Sequence, residues 1–247
     1  MPEAPLTPQR RRASADGLPP VGRAAFVELG LVSCFSFLRG ASEAVDLATT
    51  ARMLGYDAIG IADANTMAGV VRLHSEAKAL GLRPVIGCRI ETIEGLEFLA
   101  YPTDRAAYGR LCRLISAGRM ARLDGEWQDQ GVWDISLAML AEHSAGVHLV
   151  LVPPRDLAEV FTIAVESNVV PLHLPGPRRS DLRTASFPDL LPHLVRQLPS
   201  LRNLATAYLY TGDDIARSAR LDALAREHGL TILATNLPLY HAPQRRP

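Results

Sequence analysis

Asp63 is the residue with the clearest opportunity for chemistry. It closes the apolar run AIGIAD, at the end of a buried strand, where a carboxylate can move a proton or hold a metal ion. Partners for it are scarce. His74, His143, His148, His173, His193, His228 and His241 are scattered singly, with no HExxH, HxH or HxxxH spacing to set two imidazoles on one face. Cys34, Cys88 and Cys112 form no CxxC pair, so a reducing cytoplasm is the natural setting. A Walker loop, a GxSxG elbow and a GxGxxG fingerprint are all missing. Arg89, after the third apolar run, has two readings. Either its guanidinium lies in a pocket, where it repels divalent cations and pairs with Asp63, or it points to solvent.

These residues must be positioned by the stretch Phe26 to Glu91. FVELGLV predicts a strand, SEAVDLATTARML a helix closed by Gly55, AIGIA a strand, MAGVVRLHSEAKAL a helix closed by Gly81, and PVIGCRI a strand. Buried stripes are expected at Ala44, Leu47, Ala48, Ala51 and Leu54, then at Val70, Leu73, Ala77 and Leu80. The rhythm continues with a strand at Leu96 to Tyr101 and a helix that Thr103 or Asp104 caps and Gly118 ends. ARLDGEWQDQGVW reads as a surface excursion holding Trp127 and Trp133. VHLVLV reads as a strand, DLAEVFTIAVES as a helix, VVPLHL as a strand and PGPRRSDLRTASF as a loop. FPDLLPHLVRQL is helical, LATAYLY a strand, and GDDIARSARLDALAREHG a helix burying Ile215, Ala219 and Ala223 before the strand TILAT. About seven strand–helix units imply a parallel sheet, open or closed.

The 247 residues are 48% hydrophobic, enough for one large α/β barrel or two small domains. No run reaches the roughly 18 apolar residues of a membrane span, so no membrane partner is expected. Net charge is zero, which removes any global electrostatic case for DNA binding. Residues 1–23 hold little to bury and read as a flexible, solvated tail with Arg10, Arg11 and Arg12 as its charge cluster.

The words inside the pattern carry a resemblance. FSFLRGAS, AIGIADANTMAGV, GLRPVIGCRIE, LAYPTDRAAYGRLCRLIS, YTGDDIARSARLDALAREHG and LATNLPLYHAPQRRP are similar to the polymerase and histidinol phosphatase (PHP) domain, specifically that of bacterial error-prone DNA polymerases, relatives of the polymerase III alpha subunit. The similarity covers about Phe26 to Pro247 and is faint between Arg122 and Arg202. It implies an irregular seven-stranded (β/α) barrel over 24–247, like a TIM barrel, with its pocket at the C-terminal strand ends.

In active members of that family, two or three divalent metals held by His, Asp and Glu activate water and clamp phosphate oxygens. The resemblance puts Gly30 and Val32 at the H-x-H of the first strand and Asp63 and Ala64 at the Asp-His of the second. Arg89 stands at the carboxylate of G-x-E, Gly95 or Leu96 at a histidine before the fourth strand, and Leu237 and Leu239 at the D-x-H after the last. Only Asp63 keeps a ligating side chain. A vestigial pocket of Gly30, Val32, Asp63, Ala64, Arg89, Leu237 and Leu239 is therefore expected to converge at one mouth, without metal, cofactor or catalytic residue.

For a full-length relative the resemblance implies DNA-directed DNA synthesis across lesions. Here it implies a structural platform whose partners are the polymerase palm and thumb, with DNA and damage-response proteins as further partners. The palm carboxylates of nucleotidyl transfer would lie beyond YHAPQRRP, so the chain reads as the PHP portion alone or as a truncated reading frame. An active phosphoesterase or 3′–5′ exonuclease, and a stand-alone binding module, are the alternatives.

Overall fold

A computed structural model describes residues 11–18, 20–22, 26–120, 128–129, 132–164 and 182–245. The predicted alternation appears as α1 (Ala44–Met53), β1 (Ala58–Ala64), α2 (Val70–Ala79) and β2 (Arg83–Glu91). Gly55 and Gly81 follow the two helices at φ 80° and 71°, the left-handed conformation that lets the chain turn back at once into a strand. Ala44, Leu47, Ala48 and Ala51 of α1 and Val70, Leu73 and Ala77 of α2 pack on Ile59 and Ile61. Leu54, expected in the α1 stripe, is exposed just past the helix end.

The chain continues through β3 (Glu97–Pro102), α3 (Arg105–Met120), α4 (Leu137–His143), β4 (Val147–Val152), β5 (Val160–Ala164), β6 (Leu182–Ser186), α5 (Phe187–Gln197), β7 (Leu201–Thr206), α6 (Asp214–Glu227) and β8 (Thr231–Ala234). Six strands form one sheet in the order β1-β2-β3-β4-β7-β8, and β5 pairs with β6 apart from it. The sheet is mixed rather than all parallel. β3 runs antiparallel to both β2 and β4, because the connection from Glu91 to Glu97 is a tight turn with Gly95 at φ 84° and is too short for a crossover.

Five further expectations are corrected. The helix read over DLAEVFTIAVES is, where described, a turn at 156–159 followed by strand β5, with Phe161 and Ile163 buried and Val160 and Thr162 exposed, and the loop PGPRRSDLRTASF holds its partner β6. The strand read at LATAYLY begins earlier, at Leu201. Gly118 lies inside α3, where its lack of a side chain admits Ile135, and Asp104 caps this helix through the Ala107 N–H at 2.7 Å. In α6 the buried residues are Asp214, Leu221 and Ala225, while Ile215, Ala219 and Ala223 face outward. Trp133 is partly buried against the core, with the Arg119 guanidinium 4.5 Å over its ring. Trp127, His173 and the strand VVPLHL lie outside the described residues.

Residues 26–32, expected as the first strand, form no regular ladder and bend at Gly30, yet they complete the ring. Gly60 N–H donates to the Glu28 carbonyl and Ala62 N–H to that of Leu31, each at 2.7 Å. Two residues of β1 thus face three of the first segment, the signature of a bulge. On the other side Val32 N–H reaches the Pro238 carbonyl at 3.2 Å, just beyond β8. The segment is therefore the seventh stave, between β1 and the end of β8. Glu28 holds this seam. Its buried carboxylate accepts from Gly30 N–H and Asn236 N–H, each at 2.8 Å, and from the Thr235 hydroxyl.

Inside the ring, Ala62, Leu99, Tyr101, Val150 and Ala205 form a packed lumen together with Leu29, Val85, Leu233 and Leu237. Tyr101 crosses it and donates to the Leu29 carbonyl at 2.5 Å, with its ring lying where a Gly87 side chain would be. The larger cluster lies between the outer faces of β2, β3 and β4 and helices α3 to α6, with Phe98, Leu111, Leu140, Leu151, Phe187 and Leu221 among its members. Residues 11–18, within the stretch expected as a tail, run along α1 and α2. Arg11 pairs with Asp46 at 2.8 Å, and Ala13 N–H donates to Glu76 at 2.8 Å.

Candidate functional site

Side-chain alternation along β1 decides what Asp63 does. Ala62 lines the lumen, whereas Ile59 and Ile61 pack on the helices, so Asp63 shares the outward face with Ile61. It is 1% exposed. One carboxylate oxygen accepts from Ser33 N–H and the Ser36 hydroxyl, both at 2.7 Å, and the other from the Ser33 hydroxyl at 2.8 Å. Ser36 Oγ in turn accepts from Ala64 N–H at 2.9 Å. The carboxylate is the hub of the loop that follows the first stave. Gly69 makes room for it, since a side chain there would overlap Asp63 and Ser33.

Arg89 lies on the same face of β2 as Val85, one of the lumen residues. It is 6% exposed. Its Nη1 reaches Glu97 at 3.0 Å and its Nη2 the Gly30 carbonyl at 3.4 Å, an acceptor that the bulge leaves out of the ladder. The pairing with Asp63 that the sequence allows is not made, nor does the side chain extend into solvent. Glu91 and Glu97 sit directly opposite each other across β2 and β3, a juxtaposition that costs free energy unless it is compensated. Arg39, from the loop 33–40, compensates it by pairing its charge with that of Glu91 and approaching Glu97 at 3.8 Å. Two arginines and two glutamates thus form a neutral network at the mouth.

The remaining positions fall around this network in different ways. The Leu237 side chain lies over Gly30, so that a β-carbon at residue 30 would stand 2.4 Å from its Cδ2. Ala64 pairs with Arg89 across β1 and β2, and Val32 is fully buried. Leu239 is 40% exposed, and its carbonyl takes Ala41 N–H at 2.9 Å. Leu96 is buried outside the lumen, and Gly95 forms the β2–β3 turn. Gly30, Arg89 and Leu237 therefore meet, while Asp63 turns its carboxylate the other way. Among the described residues, no three His, Cys, Asp or Glu side chains are grouped so as to hold a metal ion. Cys34, Cys88 and Cys112 are free thiols, and burial pushes that of Cys88 well above the ordinary thiol range.

Sequence reasoning missed Glu28, Arg39, Glu91 and Glu97. A signal for the last two exists, since acids flanking a short turn with Gly95 fall opposite each other in a hairpin. Burial raises the Glu91 carboxyl above its ordinary value, which Arg39 offsets and Glu97 reinforces. The folded state then holds this proton more tightly than the unfolded chain. Stability should fall as pH rises from the ordinary carboxylate range through the raised value and then level off. Melting curves across roughly pH 3–7 should show this fall flattened in Glu91→Gln.

The profile of the PHP domain matches residues 28–178, and the chain belongs to the PHP domain family. Its relatives include an error-prone DNA polymerase of Caulobacter vibrioides, 38% identical over 93% of this chain and 18% of the relative. Another is error-prone DNA polymerase 3 of Agrobacterium fabrum, 52% identical over 56% of this chain and 13% of the relative. The chain thus spans less than a fifth of the length of these polymerases. In fold it is similar to a Bifidobacterium adolescentis protein assigned as a metal-dependent phosphoesterase, with TM-score 0.59, 16% identity and coverage of 93% and 91% of the two chains. No helix among the described residues is long and apolar enough to cross a membrane.

Proposed function

We propose that this chain is the PHP barrel of an error-prone DNA polymerase and acts there as a catalytically silent platform. The observation that carries this reading is the mouth itself. A guanidinium bonded to Glu97 and to the Gly30 carbonyl stands beside Gly30 and Leu237, positions that the resemblance matches to lost metal ligands, and the one retained ligand type, Asp63, is committed to Ser33 and Ser36. These residues do not fit a two- or three-metal centre, and no hydrolytic step is derived through one. Of the expected vestigial pocket of Gly30, Val32, Asp63, Ala64, Arg89, Leu237 and Leu239, the mouth retains Gly30, Arg89 and Leu237 together, and we assign it no catalytic residue or cofactor.

On this reading the whole polymerase synthesises DNA across lesions in the cytoplasm after DNA damage. The barrel supports its palm and thumb, and DNA and damage-response proteins are met by the assembled enzyme. The test is an assay of this chain with bis-p-nitrophenyl phosphate and with a 3′-labelled single strand, in Mn²⁺ and in Zn²⁺, beside a primer-extension reaction. Neither hydrolysis nor extension is expected. Hydrolysis that follows the protein through gel filtration would contradict the silent platform, and nucleotide incorporation would contradict the domain assignment.

A further inference from the structure

A cleft opens between the loop after β4 and the loop that leads from β7 into α6. It consists of a cavity of about 280 Å³ and a neighbouring one of about 510 Å³, which share Arg155, Leu209 and Arg217. The larger volume lies within the range of ligand-binding pockets, about 300–1,000 Å³, and the smaller just below it. The inner cavity is walled by apolar groups, Val152, Ala205, Ala207 and Leu237. The outer one carries Arg155, Arg217 and Arg220 beside Asp156 and Asp213.

Two charges of this cleft, Arg155 and Arg220, are available to a partner, while Arg217 faces Asp213 and Asp214. Arg217 donates to the Pro154 carbonyl at 2.8 Å, which fixes its guanidinium in place. Neither Arg155 nor Arg220 has a hydrogen-bond or ion-pair partner among the described residues. The two aspartates are already engaged by their own loops, Asp213 by the Thr211 hydroxyl at 2.6 Å and Asp156 by Ala158 N–H at 2.9 Å. Next to the cleft Tyr210 is 91% exposed at φ 56°, a conformation that costs a tyrosine free energy. Asp214 holds it there by accepting from Leu209 N–H at 2.5 Å and Tyr210 N–H at 3.2 Å. An aromatic ring is thus presented to solvent on a pinned backbone, so ordering it on binding loses little entropy.

We propose that this cleft docks an extended segment of a partner protein, one that sets an apolar side chain in the inner cavity and acidic side chains against Arg155, Arg217 and Arg220. Charge complementarity selects this occupant over a nucleic-acid strand. Three arginines with two aspartates leave a surplus of one positive charge, and the chain as a whole has net charge zero. A continuous phosphodiester would lie against Asp156 and Asp213, whereas a peptide can space its acids to avoid them. Tyrosine and arginine beside an apolar pocket are also the residue types that concentrate binding energy at protein interfaces.

The test is an array of short peptides, each with one apolar or serine residue flanked by acidic or by lysine residues, probed with the labelled protein. Binders are then titrated by fluorescence anisotropy. Peptides with an apolar centre and acidic flanks should bind. R155E/R220E, which alters two exposed side chains, should weaken them about tenfold or more and bring up the lysine-flanked set, while Tyr210→Ala should weaken both. Four outcomes would overturn the proposal: no peptide binding, equal binding with serine at the centre, stronger binding of an oligothymidine strand at the same arginines, or self-association of the chain that buries them.

Discussion

Replacing Glu28 with alanine is expected to lower the unfolding free energy by about 3–5 kcal/mol, with a fall in Tm of about 10 °C for a domain of this size. The carboxylate accepts from Gly30 N–H, Asn236 N–H and Thr235 Oγ1, all at the one seam that no backbone ladder closes. Its removal leaves the buried Thr235 hydroxyl and the half-covered Asn236 N–H without their acceptor and Gly30 N–H with only the longer contact to Thr235 Oγ1 at 3.3 Å, and a buried unsatisfied donor costs about 1–3 kcal/mol. The surrounding backbone cannot supply a replacement, because the bulge at Gly30 has already broken the register with β1. Domains are stable by only about 5–15 kcal/mol, so the loss is a large share of the total. Chemical denaturation of the two proteins measures it. An unchanged midpoint would mean that Glu28 does not hold the ring closed.

Asp63→Ala separates a structural carboxylate from a metal ligand. Its three acceptor contacts order the loop 33–40, in which Phe37 and Leu38 are 84% and 88% exposed. Without them Ser33 and Ser36 lose their common partner, and destabilisation of about 3 kcal/mol is expected together with local opening. Limited chymotrypsin digestion should cut the variant at Phe37 or Leu38 much sooner than the parent, while metal content stays the same. Cleavage at the parent rate combined with a loss of bound metal would return Asp63 to the role that its place at a strand end first suggests.

The first half of the fold is legible because local and tertiary preferences agree there. Apolar residues recur at helical spacing in α1 and α2, and Gly55 and Gly81 stand where a left-handed turn is needed. The β5–β6 ribbon is not legible in this way, since EVFTIAV satisfies a helical and an alternating pattern at once and only its pairing with β6 selects the strand. α6 misleads for a different reason. Its apolar residues Ile215, Ala219 and Ala223 share a stripe, yet Leu221 and Ala225 are the ones that meet the core, so the docking face and not the propensity fixes the helix rotation. At the site, the alignment of Gly30 with a lost histidine hides a second reason for glycine, which is the close approach of Leu237 and Thr235. Arg39 could not be found from sequence, because the loop that delivers it is shaped by Asp63.

The central proposal is that the Arg89–Glu97–Arg39–Glu91 network, and not a metal cluster, lies at the mouth of this barrel. Thermal melts of the purified protein in Zn²⁺, in Mn²⁺ and in EDTA, with elemental analysis of the same sample, test it most directly, since any metal bound to the native state must raise Tm by mass action. The expected result is one Tm in all three conditions and no stoichiometric metal. A Tm that falls in EDTA and recovers with Zn²⁺ or Mn²⁺ would contradict it.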